Sequence, residues 1–248
     1  MTVGLVVVSH SRALGMAAVA LAREMVGGQD VPISVAAGLD QTTLGTDAAA
    51  IVEAIAEAER GQGVVVLMDL GSAVLSAELA LEMLDEDARD RVVLSGGPLV
   101  EGLVAAAVTA AGGADTARVA AEAAGALAPK INQLESSTRA DTDRRSAGAE
   151  LAVGSPPVGS FRLGSFVVAA ADGLHARPAA RLVAEVARHG VTAELRNRTS
   201  DSAWVPADSL AAVMTLGCRR GDELELKVWG PLAAQVIDGV TRLAGDFR

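Results

Sequence analysis

Two of the three histidines in this 248-residue chain, His10 and His175, stand where a strand-like apolar run gives way to a helix-like one. An imidazole beside a helix N-terminus has two useful properties. The positive end of the helix disfavours imidazolium, which leaves a neutral, nucleophilic nitrogen at pH 7. The same potential, with backbone N–H groups the helix does not use, stabilises a phosphate attached to that nitrogen. Asp69 ends another apolar run, and a carboxylate there can accept from the second ring nitrogen of His10 and fix its tautomer. The plainer alternative is that His10 only ends a strand–helix turn, and position alone leaves the two readings level.

Other chemistry is less well served. Ser72, His10 and Asp69 have the residue types of a hydrolase triad, but Gly71-Ser72-Ala73 lacks the Gly-x-Ser-x-Gly elbow that exposes a nucleophilic serine. No P-loop and no Gly-x-Gly-x-x-Gly follows the first strand. The histidines and the lone Cys218 show no metal-ligand spacing, and neither a metal nor a bound cofactor is expected. His189, just before Gly190, suits the last turn of a helix. Cys218 is expected to be inert. Thr42, Thr46 and Ser72 suit either phosphate contact or turn and cap duty, and Ser11 lies in the same loop as His10.

The elements that must hold these residues alternate. Strands are predicted at Val3–Val8, Val31–Ala37, Val64–Met68 and Arg91–Ser95. Helices are predicted between and after them at Arg12–Val26, Asp47–Arg60, Ala73–Leu84, Val100–Ala111 and Thr116–Leu127. Fully apolar strands separated by helices imply an α/β domain, a parallel sheet covered on both faces. Ligand sites in such sheets lie beyond the carboxyl ends of the strands, where Ser9–Ser11, Gly38–Thr46, Asp69–Ser72 and Ser95–Gly97 all fall.

A polar stretch from Glu135 to Ser146 and a Gly/Pro/Ser-rich one from Gly154 to Ser160 read as a flexible linker. Three segments result: 1–134, a linker over 135–163, and 164–248. Residues 1–134 carry 17 Asp and Glu against 7 Lys and Arg, while residues 164–248 carry 10 of each. The whole formal charge of −10 therefore sits in the first segment. In the last, a strand is expected at Phe166–Ala171, with a helix from His175 to Gly190 that has Pro178 in its first turn. Further strands are expected at Thr192–Arg198, near Ala203–Val205 and at Glu223–Trp229, and helices at Asp208–Thr215 and Pro231–Ala244. The order βαββαβα implies an antiparallel sheet with helices on one face, an α+β open-faced sandwich.

Gly173-Leu174-His175-Ala176-Arg177-Pro178-Ala179 closely resembles the active site of the histidine-containing phosphocarrier protein (HPr) family of the bacterial phosphotransferase system. Ser209–Gly217 followed by Gly221-Asp222 resembles that family's second signature. The resemblance implies phosphorylation of His175, with Arg177 steadying the phosphoryl group. Ser209 occupies the position phosphorylated for regulation in some relatives, and a plain helix N-cap is the favoured reading. Two departures stand out: the segment Arg196–Trp204 is a few residues long, and Ala211 replaces a bulky apolar side chain.

Residues 1–132 resemble the mannose-class enzyme IIA family through Leu5–Ser11, Gly38, Gly45-Thr46 and Met68-Asp69-Leu70. That resemblance implies phosphorylation of His10, oriented by Asp69, with Ser11, Thr46 and Ser72 at the phosphate. Asp69–Ala73 and Ser95–Gly102 are more similar to the dihydroxyacetone kinase branch than to the sugar-transporter branch. A fusion of this kind to an HPr domain is likewise the arrangement of that kinase's phosphotransfer subunit. It implies a phosphoryl relay from enzyme I through His175 and His10 to ADP on a kinase subunit, with a substrate-binding subunit as the further partner. Longer relatives add an enzyme I fragment that this chain lacks, so enzyme I is expected as a separate protein. A homodimer through residues 1–134 is also implied. The alternatives are a transporter component donating to a IIB protein and a regulatory module read by its phosphorylation state.

Composition narrows the setting. No run reaches the ~18 apolar residues of a membrane span, and the N-terminus has no basic leader. One cysteine suits a reducing cytoplasm. With an excess of acid, no tyrosine and five other aromatics, the chain lacks what nucleic-acid binding needs.

Overall fold

The computed structural model describes residues 2–139 and 160–246. The chain divides into two compact units, Met1–Leu127 and Ala128–Arg248.

In the first unit, strand β1 (Gly4–Ser9) is followed by helix α1 (Arg12–Met25), β2 (Ile33–Ala37), α2 (Ala48–Ala58) and β3 (Val64–Met68). Then come α3 (Gly71–Met83), the single turn α4 (Glu86–Arg89), β4 (Val92–Ser95), α5 (Leu99–Ala111) and α6 (Thr116–Gly125). All pairings are parallel, in the order β2-β1-β3-β4. β1 and β3 are buried along their whole length, as continuous Val/Leu runs in a two-sided sheet must be. Val6, Val8, Val64 and Val66 pack with Ile51 and Ile55 of α2 and Ala73 and Ala77 of α3. The chain leaves β1 toward β2 and returns past it to β3. The carboxyl ends of β1 and β3 therefore border the crevice where the strand order reverses.

Helix termini use the side chains that sequence favours: Ser11, Asp47, Asp85 and Asp115 cap α1, α2, α4 and α6. α3 starts without a side-chain cap. The predicted helix over 116–127 stops at Gly125, and α7 (Ala128–Arg139) follows it after a short turn and belongs to the second unit. The first five residues of the expected linker, 135–139, thus continue a helix. Residues 140–159 of that linker lie outside the described residues.

The second unit goes on with β5 (Phe161–Val167), α8 (Ala176–Ala187), β6 (Ala193–Asn197), β7 (Val205–Pro206), α9 (Leu210–Met214), β8 (Glu223–Trp229) and α10 (Ala233–Asp246). The sheet is antiparallel in the order β5-β8-β6-β7. β5 begins five residues earlier than the sequence suggests and ends four earlier. Its first half pairs Phe161 with Trp229 and Leu163 with Lys227, and the Phe161 and Trp229 rings meet at 5.6 Å between centroids. Buried residues alternate along β6 and β8, and Leu182, Val183, Val186, Leu195, Leu224, Leu226 and Val240 are in the core. The long β6–β7 connection turns at Asp201, a non-glycine with φ of 51°. It returns Trp204 over the sheet, where Lys227 Nζ lies 3.8 Å and the Arg196 guanidinium 4.7 Å from the ring centre. Among the described residues, no helix is long and apolar enough to cross a membrane.

Candidate functional site

His10 follows the last residue of β1, and Asp69 follows the last residue of β3. The parallel register of Val8 with Met68 brings them side by side, and Asp69 N–H donates to the Val8 carbonyl at 3.2 Å. Asp69 Oδ1 lies 2.8 Å from His10 Nδ1. The His10 side chain is 22% exposed and that of Asp69 8%. Burial disfavours the Asp69 carboxylate, but donation from His10 N–H, the His10 ring, Ser9 and Leu70 N–H outweighs it and holds the pKa below the usual value. An ionised carboxylate only accepts, so Nδ1 carries the proton and Nε2 keeps its lone pair.

That lone pair faces the start of α3. Ser72 Oγ sits 2.6 Å from Nε2 and donates to it. The amides of Gly71 and Ser72 belong to the first turn, where a helix offers no carbonyl partner. A phosphoryl group on Nε2 would meet these donors and the positive end of α3. The loop after β2 forms another wall. Gly38 N–H donates to the Ser9 carbonyl at 3.1 Å, and Gly45 N–H to the His10 carbonyl at 3.0 Å. Gly38 has φ of +68°, and a Cβ there would crowd the Asp40 and Thr43 carbonyls. A cleft of about 460 Å³ runs from Asp69 to the β4–α5 loop, lined in part by Leu70, Val74, Leu94, Gly96 and Leu99.

The structure sorts the expected phosphate ligands. Ser72 reaches the reactive nitrogen. Thr46 instead shares a 2.7 Å hydrogen bond with Ser76 of α3, tying the loop down. Thr42 is engaged by Asp40 Oδ1. Ser11 caps α1, accepting from Leu14 N–H at 3.3 Å. Sequence reasoning gave no role to Ser9, which is fully buried and donates to Asp69 Oδ2 at 2.9 Å.

The second histidine belongs to the second unit. His175 is the exposed N-cap of α8 and makes no capping bond with its side chain. Pro178 fills the first turn, where its missing N–H costs nothing. Gly173 has φ of +77°, and a Cβ on it would fall on the Cys218 carbonyl. Leu174 N–H donates to that same carbonyl at 3.0 Å, so the Cys218–Arg219 backbone lies against the His175 loop. Arg219 and Arg220, the next two residues, are both exposed. Ser209 is buried and caps α9 through Ala212 N–H. Burial and the neighbouring Asp222 charge raise the Cys218 thiol to about 12.

The family model for the fructose IIA component of the phosphotransferase system matches residues 4–120. The model for the HPr component phosphorylation site matches residues 164–246. The chain is 39% identical over 246 residues to a Pantoea ananatis protein and 38% identical over 248 residues to an Escherichia coli one. Both are named phosphoryl donor subunit DhaM of PEP-dependent dihydroxyacetone kinase. Each alignment takes in 98% of this chain and 50% of the relative, so the chain spans about half the length of these two. A shorter Listeria innocua protein, the DhaM subunit of PEP-dependent dihydroxyacetone kinase 2, is 38% identical over 106 residues. That match covers 43% of this chain and 84% of the relative.

Proposed function

This chain belongs to the DhaM family, and we propose on that premise that it is a phosphohistidine relay between enzyme I and a dihydroxyacetone kinase. His175 takes a phosphoryl group that originates on phosphoenolpyruvate, and His10 receives it next. ADP held by a kinase subunit is the final acceptor, and that subunit phosphorylates dihydroxyacetone delivered by a substrate-binding subunit. The observation that carries this reading is the Nδ1–Asp69 hydrogen bond, which leaves the Nε2 lone pair aimed at the start of α3.

The chemistry follows from that arrangement. Nε2 attacks the phosphorus of the donor phosphohistidine in line; the new P–N bond forms as the old one breaks, and the donor imidazole leaves with the electron pair. The phosphorylated His10 ring becomes an N-phosphorylated imidazolium, its Nδ1–H still held by Asp69, whose negative charge offsets it. Attack by a terminal phosphate oxygen of ADP reverses the charge change and returns His10 to its neutral tautomer. Each step moves a phosphoryl group between nucleophiles, so positioning and electrostatic stabilisation supply the catalysis and no metal or bound cofactor is required in this chain.

The first unit is proposed to form a homodimer. Leu75, Leu79 and Met83 make an exposed stripe along α3, and β4 is an edge of the sheet among the described residues; both suit burial against a second copy. A cytoplasmic setting is part of the same proposal and suits the proposed partners. The test is reconstitution with enzyme I, phosphoenolpyruvate and the kinase subunits. Acid-labile label at both histidines and formation of dihydroxyacetone phosphate are expected. Label that stops at His175, or passes only to a IIB protein, would overturn the reading.

A further inference from the structure

β1 is apolar and fully buried up to its last residue, where Ser9 places a hydroxyl at zero exposure. A buried hydroxyl costs stability unless it is hydrogen-bonded, so its presence among Val6, Val7 and Val8 needs a reason. Its partners supply one. Ser11 N–H donates to Ser9 Oγ at 3.2 Å. The single Ser9 proton has two acceptors in reach, Asp69 Oδ2 at 2.9 Å and the Ser11 carbonyl at 3.1 Å. The ionised and nearer carboxylate wins.

An ionised carboxylate has about four lone-pair sites. At Asp69, His10 N–H (2.9 Å) and Ser9 take both on Oδ2, and Leu70 N–H (2.7 Å) takes one on Oδ1. One site is left, on Oδ1, and His10 Nδ1 fills it. We propose that Ser9 is a positioning residue for phosphoryl transfer: its hydroxyl locks the Asp69 carboxylate so that Oδ1 selects the Nδ1–H tautomer and His10 presents Nε2. The proposal rests on the reading that His10 receives the phosphoryl group. Without the Ser9 donor, Oδ2 keeps only the His10 N–H, and the carboxylate can turn to satisfy its open lone pair. Oδ1 then leaves the ring plane, and the two neutral tautomers of His10 approach each other in energy.

The experiment compares the full chain with Ser9→Ala and Ser9→Thr, by imidazole ¹⁵N NMR and by rapid-quench labelling from enzyme I and phosphoenolpyruvate. Wild type is expected to show one tautomer, protonated on Nδ1. Ser9→Ala should show a mixture and an about 10-fold slower labelling of His10, as loss of an outer hydrogen-bond partner commonly causes. Labelling of His175, in the other unit, should be unchanged, and Ser9→Thr, which keeps the hydroxyl, should restore both readouts. A purely structural serine would lower the melting temperature and leave the tautomer alone. The proposal is overturned if folded Ser9→Ala keeps the wild-type tautomer, or if folded Ser9→Thr is as impaired as Ser9→Ala. Should Ser9→Ala not fold, Ser9→Val removes the donor while keeping the shape of the Thr variant and a strand-forming side chain, and a wild-type tautomer in that variant overturns the proposal equally. Wild type that never labels at His10 would instead sink the relay reading, while the NMR comparison, which needs no transfer, still decides the role of Ser9.

Discussion

A carboxylate and a hydroxyl hold the two nitrogens of His10 from opposite sides, and each contact sets a different property of the ring. Asp69 decides which nitrogen is nucleophilic and supplies the charge that offsets the phosphorylated ring. Asp69→Asn should keep the fold, but an amide can also donate and would then favour the wrong tautomer. Transfer to His10 should fall at least ~10-fold by rapid quench, with unchanged circular dichroism. Equal rates would remove Asp69 from the mechanism. Cys218 offers a contrast, because its environment suppresses reactivity. With the thiol raised to about 12, it should resist iodoacetamide at pH 8 in the native protein and react once urea exposes it. Rapid native labelling would show that the loop beside His175 opens far more readily than its hydrogen bonds imply.

At the scale of elements, the loop between β2 and α2 is built around Asp40. The Thr42 and Thr43 amides donate to Oδ1 at 2.7 and 2.8 Å, and the Thr43 hydroxyl donates to Oδ2. These bonds lower its pKa from 3.8 to about 2. A group depressed on folding stabilises in full above its unfolded pKa and loses that contribution as pH falls through its folded one. The loop should therefore stay ordered at pH 4 and loosen as pH approaches 2, with NMR shifts of the Thr42 and Thr43 amides reporting a midpoint near 2. A midpoint near 4 would mean that the turn does not form in solution. Much of this architecture was legible in advance. The apolar runs of β1 and β3 and the residues after them located His10 and Asp69, because runs of strand length set between helical periods fit a sheet covered on both faces. Phe161 and Leu163 were assigned to the linker, because Arg162 and Gly164 interrupt them and the register with β8, a long-range pairing, is invisible locally. The roles of Ser9 and Thr46 were hidden for the same reason: their partners lie 60 and 30 residues away.

At the scale of the whole chain, each unit carries one reactive histidine, and the proposed order of transfer makes the second unit the receiver. His175→Ala should block labelling from enzyme I at both positions, while added wild-type HPr-type protein should partly restore label at His10. Normal labelling of His10 in the variant by enzyme I alone would reverse the order. The uneven placement of aromatic side chains has a practical consequence. Both tryptophans, Trp204 and Trp229, belong to the second unit, and the chain has no tyrosine. Trp204 lies beneath two cations, so its indole emission is sensitive to their displacement. The chain is thus built with an optical reporter for one half alone. Fluorescence follows the melting of the half with His175, far-ultraviolet dichroism follows both, and a dichroism transition with no counterpart in fluorescence reports the melting of the half that holds His10.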